Sequence, residues 1–140
     1  MSEDLLALAI VAAFGLGVAG LLKFVFSRQK RKPLDTEYFQ TQWQATQKVC
    51  GGKETWPLAI INADKLLDEA LKKSHYHGKT MGERLVAAQR QISDNDAVWF
   101  AHKLRNKLVH ESNIKLNEGD VRDALLGIRQ ALRDLGALKK

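Results

Sequence analysis

The stretch "LRNKLVHES", Leu104 to Ser112, holds an Arg, an Asn and a His within a few positions of one another. Each brings a different chemistry. Arg105 is a permanent planar cation whose fork of donors fits phosphate oxygens, and His110 carries an imidazole that titrates near neutral pH and can pass a proton in either direction. On a helix Asn106 and His110 stand one turn apart, so their side chains can meet, and Arg105 is long enough to reach the same spot. A second reading stands beside this one: Arg105 and His110 pair with backbone carbonyls and carboxylates at a helix end, where positive side chains are favoured.

Other candidates carry less. His75 and His77 in "SHYHGK" fall in a loop without a Cys or an obvious third ligand, so no metal site is expected. Asp68 and Glu69 pair at helical spacing with Lys72 and Lys73 and are expected on a solvated face. "CGGK" lacks the outer Gly and the following Ser or Thr of a phosphate loop. No cofactor is implied. The single Cys50 cannot close an intrachain disulfide and reads as a small apolar filler. Trp43, Trp56 and Trp99 read as core or interface anchors.

Positioning the Arg-Asn-His set falls to helices. Residues 36–140 show no strand alternation and no tight hairpin signal, while apolar residues recur at helical spacing. Phe39, Trp43, Thr46 and Cys50 mark a first helix, ended by "CGGK". Ile60, Ala63, Leu67 and Ala70 mark a second, opened by Thr55 with Pro57 in its first turn. The third is marked by Met81, Leu85, Ala88 and Ile92, with Thr80 and Glu83 at capping-box spacing. Ser93 and Asp96 repeat that spacing before a fourth, and Val121, Leu125, Ile128, Leu132 and Leu135 form a fifth, capped by Asn117. The fold class is therefore all-α: an up-and-down bundle of four to five helices.

In the fourth helix, at about 100° per residue, Ala97, Phe100, Ala101 and Leu108 cluster around Leu104 and are expected to form the core face. The opposite side holds Val98, Trp99, His102, Arg105, Asn106, Val109 and His110. A solvated face would not carry so much apolar surface, so Val98, Trp99, His102 and Val109 are expected to be covered by another helix of the bundle or by a second subunit.

The amino-terminal region differs in kind. From Leu5 to Leu22 there is no charged or strongly polar residue, and after Lys23 the apolar character continues to Phe26. That run meets the roughly 18-residue length for a membrane span, so residues 5–26 are expected to form a single transmembrane helix. The start "MSEDLL" has no basic residue, unlike a secretory signal peptide. Arg28, Lys30, Arg31 and Lys32 follow directly, in a basic linker over residues 27–35. Basic flanks stay in the cytoplasm. The expected placement is the cell membrane, single-pass, with the amino terminus outside and the helical domain cytoplasmic. Half of the formal net charge of +6 lies in residues 1–33. The domain itself is only mildly basic and its charge does not demand a polyanion.

"RNKLVH" at the end of a penultimate long helix, preceded by "AHKL" and followed by Glu111, resembles the signature of the HEPN superfamily, the higher-eukaryote and prokaryote nucleotide-binding domains. "WPLAIINADKLLDEALKK" with "GKTMGERL" is similar to the upstream half of small bacterial HEPN-like proteins, some of them membrane-anchored. The resemblance covers residues 36–138. It implies a homodimer whose paired Arg and His residues line one cleft for metal-independent RNA cleavage. Arg105 would hold the scissile phosphate, His110 would serve as general acid or base toward the ribose 2′-hydroxyl, and Asn106 would orient them. Ser112 stands where some toxin members carry a Tyr that an antitoxin modifies. Two functions follow: a membrane-tethered endoribonuclease under a protein regulator, or a membrane-anchored helical interaction module without catalysis.

Overall fold

In the computed structural model, residues 2–26 and 32–140 are described; Arg28, Lys30 and Arg31 of the basic flank lie outside them, and Lys32 is exposed. Among the described residues the chain forms six α-helices and no strand. It divides into two compact units, Met1–Lys32 and Pro33–Lys140.

The first unit is built on α1, Glu3–Phe26, whose apolar side chains from Leu5 to Leu22 are exposed. Its 24 residues extend roughly 36 Å at about 1.5 Å per residue, enough to cross a hydrocarbon core of about 30 Å. By length and composition this helix can span a membrane.

The second unit is a helical bundle. It comprises α2 (Thr36–Val49), α3 (Trp56–Lys73), α4 (Met81–Ala88), α5 (Asn95–His110) and α6 (Glu118–Asp134), with a 3-10 turn at Lys53–Thr55. Short polar side chains start the helices by accepting otherwise orphaned backbone N–H groups. Asp35 takes Tyr38 N, Thr80 takes Glu83 N, Asp94 takes Ala97 N and Asn117 takes Asp120 N. Thr55 behaves differently: its hydroxyl donates to the carbonyls of Val49 and Gly52, tying the end of α2 to the turn before α3.

Helix α4 ends earlier than the expected stripe from Met81 to Ile92 implies. After Ala88 the chain tightens into a turn, where Gln91 N donates to Ala88 O at 2.8 Å, and Ile92 remains buried beyond it. Ser93 does not cap α5; its backbone N–H and hydroxyl both donate to Asp134 Oδ2, at 2.8 and 2.7 Å, fastening this connection to the end of α6.

Helix α3 is the hub, packing against α2, α4, α5 and α6. It buries Ile60, and its Ala63, Leu67, Ala70 and Leu71 join Phe39 and Trp43 of α2, Leu85 of α4 and Ile128 and Leu132 of α6 in one core cluster. One residue breaks that apolar series. Asp64 lies on the same buried face.

Candidate functional site

A carboxylate inside a helical core is costly unless it is paired and hydrogen-bonded. Asp64 is 3% exposed, and its partners come from α5. His102 Nδ1 lies 3.0 Å from Asp64 Oδ1 and 3.3 Å from Oδ2. One turn along, Asn106 Nδ2 stands 3.4 Å from His102 Nε2, and Arg105 Nη1 donates to Asn106 Oδ1 at 3.0 Å. Arg105 Nε is buried without a hydrogen bond but sits 3.6 Å from Asp64 Oδ2, close enough for attraction. The side chain of Arg105 nevertheless stays 34% exposed. A buried acid thus anchors a cation at the edge of the bundle.

This arrangement corrects the expected orientation of α5. Val98 and His102, expected to be covered by another helix of the bundle or by a second subunit, are covered by the bundle itself, at 2% and 9% exposure. The buried side is therefore rotated by roughly 100°, about one residue step, from the one centred on Leu104. The reason is that α5 has two neighbours. Ala97 meets α6 at Gly127, where an added Cβ would lie 2.9 Å from Ala97 atoms, while His102 faces α3 through Asp64. Trp99 is half-buried, its ring edge-on to His102 at 5.9 Å and close over Gly82 at the start of α4. Val109 is exposed. Phe100, expected in the core, is 40% exposed and with Leu126, 54% exposed, lines an open groove of about 700 Å³ rimmed by Asp94, Asp96, Asp120 and Asp123.

Of the three expected site residues, the structure brings Arg105 and Asn106 together. His110 is exposed at the last position of α5, outside this polar chain. On one helix Arg105 and His110 are separated by about 140° and ~7.5 Å of rise, so a single α5 does not aim both at one point. Sequence reasoning missed Asp64. Its signal was an acid within the Ile60, Ala63, Leu67 stripe, matched by a His on another helix.

The remaining candidates are also placed. His75 and His77 are exposed in the connection after α3. Asp68 is not on a solvated face: Arg84 grips it, with Nε 2.7 Å from Oδ1 and Nη2 3.0 Å from Oδ2. Cys50 is half-buried outside the core cluster, and burial pushes its thiol up.

No family model, no curated protein and no solved structure matches this chain.

Proposed function

We propose that this chain is a membrane-tethered, cytoplasm-facing HEPN-like domain that cleaves RNA without a metal. The observation that carries the reading is the anchoring of Arg105: held from behind by Asn106 and the charge of Asp64, its guanidinium still reaches the surface. A preorganised cation of this kind suits a phosphodiester whose charge grows in the transition state. Because one α5 separates Arg105 from His110, the productive site is a cleft between two copies, each supplying both residues.

In that cleft the 2′-hydroxyl attacks the adjacent phosphorus while one imidazole takes its proton. The bond from phosphorus to the 5′-oxygen breaks, and an imidazolium of the other copy protonates the leaving oxygen. The products are a 2′,3′-cyclic phosphate and a 5′-hydroxyl. The test uses the full chain in lipid nanodiscs with RNA and a chelator. The wild type should leave cyclic-phosphate ends, and His110→Ala should slow cleavage by roughly 10²–10⁴-fold with an unchanged melting temperature, since His110 is exposed and outside the polar chain. Wild-type protein that leaves RNA intact as a confirmed dimer would defeat the reading.

The exposed Phe100 and Leu126 favour a second reading, a membrane-anchored interaction module that uses their groove. Under it Phe100→Ser abolishes association with a copy or a regulator, and His110→Ala changes nothing.

A further inference from the structure

The polar chain behind Arg105 has a direction. An ionised carboxylate only accepts, so the nitrogen of His102 that faces Asp64 carries a hydrogen. In a neutral imidazole the other nitrogen is then bare. That nitrogen, Nε2, is the one facing Asn106 Nδ2, a group that only donates. With its amide nitrogen committed to His102, Asn106 has one way to lie, and Oδ1 faces Arg105 Nη1 at 3.0 Å. Were the imidazole hydrogen on Nε2, two donors would face each other, and the amide would have to turn its NH2 toward the guanidinium.

We propose that Asp64 is a positioning residue for Arg105, acting through the ring tautomer of His102 and the amide orientation of Asn106. Each link depends on the one before it. Asp64 selects the Nδ1–H tautomer, the tautomer orients the amide, and the amide oxygen holds the guanidinium. Asp64 also faces Arg105 Nε directly at 3.6 Å, so the acid steadies both ends of the chain. Trp99, edge-on to the ring at 5.9 Å, restricts its rotation. The use of Arg105 on a phosphate rests on the ribonuclease reading; the direction of the chain does not.

Reversing that direction while conserving charge is a direct test. With Asp64→Asn and Asn106→Asp together, the amide at 64 can donate to His102 Nδ1, the ring can donate from Nε2 to the carboxylate at 106, and that carboxylate can hold Arg105. Two-bond proton–nitrogen correlations on labelled full-length chain in nanodiscs report the tautomer, and the guanidinium resonances report whether Arg105 is held. The wild type should show the Nδ1–H form with hindered Arg105. Asp64→Asn alone should free Arg105, and the double variant should restore its hindered signal with the ring now in the Nε2–H form. A general loss of packing cannot produce that rescue.

Wild-type His102 in the Nε2–H or imidazolium form would overturn the proposal, even if Asp64→Asn does not fold. A folded double variant that leaves Arg105 free would overturn it too. Where the wild type cleaves RNA, Asp64→Asn should slow cleavage by about 10²-fold and the double variant should recover it. Absence of cleavage with the spectroscopic pattern intact would defeat the ribonuclease reading alone.

Discussion

At the scale of single residues, the firmest polar contact is the fork between Arg84 and Asp68. Two parallel bonds join them, and Arg84 Nη1 also donates to Gly78 O at 2.7 Å, so one guanidinium binds α3, α4 and their connection. Bidentate pairs of this kind are the strong ones. Burial pushes the Asp68 carboxyl up, but Arg84 and Lys72 outweigh it and hold the group below its usual range. Asp134 is in the same state: burial pushes it up, and the Ser93 donors, Gln130 and Lys140 bring it lower. With folded values depressed, both acids contribute stability above the ordinary carboxylate pKa of about 3.9. That contribution is lost as pH falls through the lowered folded values. Arg84→Met should cost about 2–4 kcal/mol near pH 7, because it leaves a half-buried carboxylate short of its main partner. The gap between wild type and variant should narrow at pH 3, where Asp68 is protonated in the unfolded chain. Urea unfolding at the two pH values measures both, and a gap independent of pH would show that Arg84 acts through packing alone.

At the scale of elements, α5 and α6 approach closely because Gly127 has no side chain. An added Cβ would meet the backbone and Cβ of Ala97 at 2.9 Å, and backbone does not yield as a flexible side chain can. Gly127→Ala should therefore cost about 1–3 kcal/mol, even though Ala favours a helix over Gly by up to about 1 kcal/mol. Gly82→Ala is the control. Its Cβ would sit 3.5 Å from the Trp99 ring, an ordinary contact, so chemical unfolding should find it neutral or slightly more stable. Equal effects at both sites would show that helix propensity, not the approach of α5, decides. The helices themselves were legible as apolar stripes between capping residues. What was not legible was which way α5 turns. Phe100 drew the core toward itself by size, whereas the actual interior adds Val98 and a His to the expected Ala101, with Leu104 packed half-buried against it. Burying that His is reasonable only once Asp64 is seen across from it, and no local pattern joins residues on separate helices. Arg105 and Asn106 were readable as a pair because they are neighbours in the chain; their support from Asp64 is a tertiary fact.

At the scale of the whole molecule, the two units differ in the surface they present, and α1 is long and apolar enough to cross a membrane. The bundle hides most of its large apolar residues, whereas α1 leaves Leu8, Phe14 and Leu16 exposed, with no second helix among the described residues of its own unit to cover them. Water would penalise that surface at about 25 cal/mol per Å²; a hydrocarbon core removes the penalty. A Lys at the centre of a span costs about 2.5–3.5 kcal/mol on insertion scales, so Val11→Lys with Phe14→Lys should release the chain from membranes that retain the wild type through alkaline extraction. Orientation is a separate matter, decided by Lys and Arg and little by acids. Arg28, Lys30, Arg31 and Lys32 follow the apolar run and no basic residue precedes it. A reporter active only in the cytoplasm, fused after Lys140, should therefore work. Changing those four to Gln while adding Ser2→Lys and Glu3→Lys should place part of the population the other way round, reported by a fused enzyme that folds only outside. Mass measurement of the membrane-bound wild type settles processing in the same samples. An intact chain of 15.7 kDa is expected, whereas a shorter product would mark the apolar segment as a removed signal, and activity of the outside reporter on the unaltered chain would put the Arg105 surface beyond reach of cytoplasmic RNA.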